Sequence, residues 1–222
     1  MNNSSGYIIV EGNIGVGKST FSRLLAEAFG KLGYRATYLP EPDEKTNPFL
    51  ADYYNDPKAN AYKMQMHLLH QRFKSTRYAQ AAALAGKGWY VLDRSYYGDV
   101  CFANVQVGDG YFTDAEAESY LDAHRNMREF IEPPTAALFL HAHPDTCNRR
   151  ICKRARDCEK SIDPGYLCSL QDEIDKLERV LSTRCPVLSL DWQDELNETE
   201  LWYKALDVAK TILALPRTDW SF

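Results

Sequence analysis

The chain has 222 residues, 45% apolar and 26% charged, with a net charge of −5. That length buries a self-sufficient core, and that composition excludes wholesale disorder. The acidic balance argues against a general nucleic-acid surface but leaves room for a local positive site that binds a small phosphorylated ligand.

Short apolar runs alternate with helical patterns along the chain. Tyr7–Val10 reads as a buried strand, and Lys18–Leu32 carries apolar residues at helical spacing until Gly33 ends it. Arg35–Leu39 is a second strand closed by Pro40 and Pro42. A long helix is expected from about Ala61 to Leu84, then a strand at Trp89–Leu92 and helices at Tyr96–Val105 and Thr113–Ile131, with Pro133-Pro134 as the breaker. Ala136–His141 is a fourth strand, and a helix from Pro144 leads into a run of arginines. Leu167–Thr183 is helical, Val187–Leu190 is a fifth strand, and Glu198–Leu213 is the last helix. Strands separated by helices predict one α/β domain spanning 1–222: a five-stranded parallel sheet with helices on both faces.

No apolar run approaches the roughly 20 residues of a membrane span. The start, MNNSSGYIIVEG, lacks the basic and apolar segments of a secretory signal. The six cysteines form no CxxC pair and fit no zinc spacing, so free thiols and a cytoplasmic setting are expected.

Ligands of parallel sheets sit beyond the carboxyl ends of the strands. Directly after the first strand stands Gly12-Asn13-Ile14-Gly15-Val16-Gly17-Lys18-Ser19, followed by Thr20. This is the G-x-x-x-x-G-K-S phosphate cradle, which makes the fold P-loop NTPase-like. Its glycines let several N–H groups face one phosphate chain, and the following helix adds its positive end. Lys18 is placed to reach the β- and γ-phosphates and Ser19 to hold Mg²⁺. A dinucleotide fingerprint fails here, because Thr20 stands where its third glycine belongs.

Three further signals are weaker. Asp93-Arg94-Ser95 ends the third strand, where Asp93 suits a metal contact and Arg94 a carboxylate or phosphoryl group, although the same triplet also reads as a surface string. Glu41, framed by Pro40 and Pro42, is either a proton acceptor for an attacking hydroxyl or a turn residue. Arg149, Arg150, Lys153, Arg154 and Arg156 make an arginine-rich lid at about 149–160, or else a solvated basic face.

Together, EGNIGVGKS, LPEP, YYNDPKANAYKMQ, DRSYYGD and RRICKRARDCE, in that order, resemble the deoxyribonucleoside kinase family. The likeness is to its bacterial-like branch of deoxyadenosine, deoxyguanosine and deoxycytidine kinases, and it runs from about Tyr7 to Asp194. It implies ATP with Mg²⁺ as phosphoryl donor, a deoxynucleoside acceptor and a homodimer built through the long helices. It further implies that Glu41 is the general base and that Arg94 orients it. Tyr54 and Glu159 would bind the sugar 3′-hydroxyl, and Gln65 would read the base edge. Arg150, Arg154 and Arg156 would serve as lid arginines. In the family an Arg72–Asp99 pair accompanies cytosine or purine acceptance, so deoxyadenosine or deoxyguanosine is expected first and deoxycytidine next. Phe102 is the candidate for the aromatic against the base, while Tyr54 and Ile14 would exclude the 2′-hydroxyl. Cys152 and Cys158 depart from the family pattern in the lid, and Met64 stands where an aromatic is common. The alternatives are a nucleoside monophosphate kinase and a catalytically silent kinase-like subunit.

Overall fold

A computed structural model describes residues 4–42, 47–154 and 162–216, with the backbone alone at Tyr54. Five strands form one sheet: β1 Gly6–Gly12, β2 Ala36–Leu39, β3 Trp89–Asp93, β4 Ala136–His141 and β5 Val187–Asp191. Every pairing is parallel, in the order β2-β3-β1-β4-β5. This is the predicted α/β sheet, with each strand within two residues of its predicted bounds.

The period-2 alternation of the strands builds two cores. Tyr7, Ile9, Tyr90, Leu92, Ala137 and Phe139 face one side. There they meet helices α3 Pro57–Leu84, α4 Tyr96–Gly108, α5 Asp114–Arg128 and α7 Pro164–Leu181. Ile8, Val10, Trp89, Val91, Ala136, Leu138 and Leu140 face the other side. There they meet α1 Lys18–Lys31, α6 Pro144–Arg154 and α8 Glu198–Ala214. β1, β3 and nearly all of β4 are buried on both faces, which is why they read as continuous apolar runs rather than alternating ones.

Several helices differ from expectation, α4 running on to Gly108 and α7 starting at Pro164 among them. A short helix, α2 Leu50–Asn55, had no periodic signal to announce it. α3 begins at Pro57 rather than near Ala61, because the Asp56 side chain accepts from Ala59 N and caps the helix with Pro57 in its first turn. α5 ends at Arg128, so Pro133-Pro134 lie beyond its stop.

The strand order decides where the chemistry sits. β2, β3 and β1 are neighbours, so the segments leaving their carboxyl ends lie side by side: Glu41 after β2, Arg94 after β3 and the glycine-rich loop after β1.

Candidate active site

The loop from Gly12 to Gly17 turns through left-handed backbone at Gly12, Gly15 and Gly17 (φ 147°, 78° and 111°). Side chains there would be strained, and at Gly12 and Gly15 a Cβ would clash as well. A Cβ on Gly15 would fall 2.6 Å from the Cys147 carbonyl oxygen and from Ile151 of α6, so this glycine lets the loop dock on the helix that leads to the lid. Asn13 anchors the loop on the other side by donating from Nδ2 to Leu167 O and Gln171 Oε1 at 2.8 and 3.2 Å. Lys18 Nζ folds back and donates to Asn13 O at 2.7 Å. Burial, reinforced by the nearby Arg94 charge, lowers the Lys18 ammonium to about 8. A phosphate chain would relieve that penalty by giving the cation a counter-charge.

Glu41 lies between two arginines. Arg94 Nε reaches Oε1 at 3.0 Å, and Arg72 donates to the same carboxylate from Nη2. Burial works against the charge of Glu41. Arg94, Arg72 and Lys18 together outweigh it and hold the carboxyl down to about 2. Arg94 takes a left-handed backbone (φ 67°), the one non-glycine residue to do so among those described. The turn sends its guanidinium back over the end of β1, where Nη1 also donates to Gly12 O at 3.1 Å.

The base-reading candidates are joined by direct bonds. Arg72 Nη1 pairs with Asp99 Oδ1 at 2.5 Å, and Gln65 Nε2 donates to Asp99 Oδ2 and to its carbonyl at 2.9 and 3.1 Å. Asp99 is fully buried, and the Tyr120 hydroxyl of α5 also donates to its Oδ2. Gln65 Oε1 and Arg72 Nε are buried without a hydrogen-bond partner among the described residues, leaving one acceptor and one donor unmet. The Phe102 ring lies under both cations, 4.5 Å from the Arg94 guanidinium carbon and 5.0 Å from that of Arg72.

One cavity of about 730 Å³ unites these groups. Its walls include Gly15, Gly17, Lys18, Ser19 and Thr20 at one end and Gln65, Arg72 and Phe102 at the other, with Glu41 and Arg94 also in its lining. Ile14, Met64 and Arg154 line it as well. Arg150 is engaged elsewhere: it donates to Val16 O at 3.1 Å and to Asp194 O at 3.0 Å, tying the phosphate loop to the segment after β5. Arg156, Cys158 and Glu159 lie outside the described residues, as does the side chain of Tyr54.

Two buried acids end neighbouring strands. Asp93 Oδ1 at the end of β3 and Glu11 Oε2 at the end of β1 are buried without a hydrogen-bond partner among the described residues. Tyr38 joins Asp93 to the loop, since its hydroxyl donates to Asp93 Oδ2 at 3.2 Å and bonds the Ser19 side chain. Asp93 and the Ser19 hydroxyl, both oxygen donors, suit a hard divalent ion, whereas Glu11 faces the other side of the sheet, against Ser95, Arg94 and Gly98. Sequence reasoning assigned no role to Glu11 or Tyr38. Glu11 was legible in part, as a lone acid in an otherwise apolar strand. Burial pushes its carboxyl up against the opposing pull of Arg94 and the Ser95 hydroxyl, which donates to Oε1 at 2.7 Å.

The comparisons with known proteins point the same way. The family described as deoxynucleoside kinase matches residues 8–211. A deoxyadenosine kinase of Dictyostelium discoideum is 31% identical over 195 residues, covering 88% of this chain and 76% of that protein. A deoxyguanosine kinase of the same organism is 35% identical over 195 residues, covering 87% and 66%. A deoxyadenosine/deoxycytidine kinase of Bacillus subtilis is 29% identical over 192 residues, covering 84% and 82%. Among solved structures, deoxyadenosine kinase from M. mycoides with bound dATP superimposes with a TM-score of 0.74 at 26% identity, covering 91% of this chain and 98% of that one. The chain belongs to the deoxynucleoside kinase family, whose members phosphorylate deoxynucleosides with ATP.

Proposed function

We propose that this chain transfers the γ-phosphoryl group of ATP to the 5′-hydroxyl of a deoxynucleoside in nucleotide salvage, with deoxyadenosine or deoxyguanosine preferred and deoxycytidine next. The observation that carries this reading is the placement of Glu41. It is an ionised carboxylate held by Arg72 and Arg94 in the lining of the same cavity that contains the phosphate loop.

The phosphate loop and Lys18 bind the triphosphate, and Arg154 borders the same space. Mg²⁺, held by Ser19 and Asp93, would offset charge on the phosphates when bound. The acceptor hydroxyl hydrogen-bonds to Glu41 and gives up its proton there. A carboxyl held at about 2 is a weak base. Phosphoryl transfer tolerates that, because its loose transition state asks little of the nucleophile until late, so position matters more than basicity. Arg94 holds Glu41 in place and is positioned to meet the transferring group. Nothing covalent forms on the protein, and the contribution of these residues is orientation and charge.

At the far end, Gln65 Oε1 and Arg72 Nε offer an acceptor and a donor to a base edge, and Phe102 offers an aromatic face. Tyr54 and Glu159 would hold the 3′-hydroxyl, Ile14 and Tyr54 would exclude a 2′-hydroxyl, and Arg154 and Arg156 would complete a lid at 149–160 of a single-domain enzyme, with Arg150 bracing its base against Val16 O and Asp194 O. A homodimer is part of the proposal, supported by exposed Tyr78 and Leu84 on α3 and Leu121 on α5. A cytoplasmic setting is too, supported by five free cysteines among the described residues. No helix among the described residues is long and apolar enough to cross a membrane.

The decisive experiment incubates the protein with ATP, Mg²⁺ and each deoxynucleoside, and identifies the nucleotide formed. Deoxyadenosine or deoxyguanosine should give its 5′-monophosphate fastest. Turnover confined to nucleoside monophosphates as acceptors would replace this reading with a monophosphate kinase.

A further inference from the structure

α5 buries a single side chain, Tyr120. The rest of the helix is half-buried or exposed, yet this one ring is fixed edge-on against Phe112 (6.2 Å between centroids) and beside His124 (6.1 Å). The hydroxyl it carries ends on Asp99 Oδ2. Asp99 belongs to α4, so this bond links the outer helix to the floor of the base pocket.

The consequence passes through three residues. Arg72 occupies Asp99 Oδ1, and Tyr120 shares Oδ2 with Gln65. With the carboxylate held at both oxygens, the Gln65 amide has one favourable direction. Its Nε2 meets two oxygens of Asp99, and its Oε1 is left without a hydrogen-bond partner among the described residues, on a side chain that lines the cavity. The flipped amide would set Oε1 against those same two oxygens, which repel it. We infer that Tyr120 is a specificity-determining positioning residue: through Asp99 it fixes the Gln65 amide as an acceptor toward the base, and so selects bases that present a donor there. Burial and the neighbouring Asp99 charge push the Tyr120 phenol far above its ordinary range, so it remains a donor at every working pH.

This rests on the proposed base-reading role of Gln65, Arg72 and Asp99, and the test separates the two. The acceptor panel is run on wild type, Tyr120→Phe, Tyr120→Met, Asp99→Asn and Tyr96→Phe. Tyr120→Phe keeps the ring and removes one oxygen, while Tyr120→Met removes the same hydroxyl with a side chain that adapts to the space. Tyr96→Phe is the control: it deletes another buried hydroxyl, one that donates to His124 O rather than to Asp99. In both Tyr120 variants the kcat/KM ratio of deoxyadenosine to thymidine should fall about tenfold through the nucleoside KM, the size of one lost charge-assisted hydrogen bond. The KM for ATP should stay within about twofold, and Tyr96→Phe should leave the acceptor ratio unchanged. A wild-type ratio in the folded Tyr120 variants, with a changed ratio in Asp99→Asn, overturns the role of Tyr120 and spares the base pocket. A wild-type ratio in Asp99→Asn overturns both.

Discussion

Arg94 reaches Glu41 from a left-handed backbone: Nε lies 3.0 Å from Oε1 while φ is 67°. An ordinary residue gives up roughly 1–2 kcal/mol to adopt that conformation. Here it lets one guanidinium serve Glu41, the Gly12 carbonyl and, at 3.8 Å, the Glu11 carboxylate together. β3 and β1 are adjacent, so a continuing strand would carry this side chain away from the phosphate loop. The left-handed turn brings it back.

Replacing Arg94 with Lys therefore removes more than a contact. A lysine keeps the charge but has one point of donation in place of a planar fork, so Glu41, Gly12 and Glu11 cannot all be held. Steady-state kinetics should show kcat reduced by about 10² or more with ATP affinity changed far less. A kcat within about threefold of wild type would show that Arg94 does not position Glu41.

The two arginines also set the pH behaviour of Glu41. Its carboxyl lies at about 2, below its ordinary value, so it is ionised throughout the neutral range. The depressed value contributes stability that is complete above the ordinary carboxylate range and is lost as pH falls toward 2. The acid limb of kcat in the wild type should then come from some other group. In Arg72→Met one of the charges that depress Glu41 is gone, and its carboxyl should rise. The acid limb of kcat for that variant should move upward relative to wild type. Superimposable profiles for the two proteins would mean that Glu41 is not the group whose ionisation turnover needs.

Lys18 carries the opposite sign. Burial lowers its ammonium to about 8, so the unliganded protein loses this charge as pH rises past that point. The unfolded chain holds the proton to higher pH, so this group makes the fold more stable as pH climbs through the window between the two values. A bound triphosphate favours the charged form and raises the value again. ATP binding near pH 8 should therefore take up a proton and weaken as pH rises further. Calorimetry in buffers of different ionisation enthalpy measures that uptake, and Lys18→Met should abolish it. Identical apparent enthalpies across buffers at pH 8 would place the proton on Lys18 before ATP arrives.

What the sequence disclosed and what it withheld follow from distance along the chain. The phosphate loop, its strand and its helix are one local unit, and Gly12–Ser19 reads directly as a cradle. β1, β3 and β4 were legible because burial on both faces leaves continuous apolar runs, whereas the partly exposed edge strands β2 and β5 were legible as short runs bounded by turn residues. The Asp56-Pro57 start of α3 carried a capping signal that periodicity alone passed over. Tyr38 and Tyr120 were silent for a different reason. Each acts through one hydroxyl on an acid far away in the chain, Asp93 and Asp99, and no spacing rule links such pairs. The grouping of Gln65, Arg72 and Asp99 was anticipated from family likeness. The bond by which Arg72 also reaches Glu41, joining base pocket to catalytic carboxylate, emerged from the fold.

Gly98 tests how tightly Glu11 is enclosed. A Cβ built there would lie 2.4 Å from Glu11 Oε2 and 2.6 Å from its carboxyl carbon, so the first turn of α4 approaches this buried acid as closely as a backbone can. Gly98→Ala must displace Glu11, and the displacement disturbs its bond from Ser95 and its approach to Arg94. Overpacking of this kind costs roughly 1–3 kcal/mol, or about 2–10 °C in Tm for a chain this size. Gly108, at the far end of the same helix, has nothing within 4 Å of its built Cβ. Gly108→Ala should be neutral or raise Tm slightly, because alanine restricts the unfolded chain more than glycine does. Turnover should fall in Gly98→Ala and hold in Gly108→Ala, since Glu11 braces Arg94, which holds Glu41, and a Cβ at Gly108 meets nothing. Equal melting temperatures and equal turnover in the two variants would show that Glu11 has room to move and does not brace Arg94.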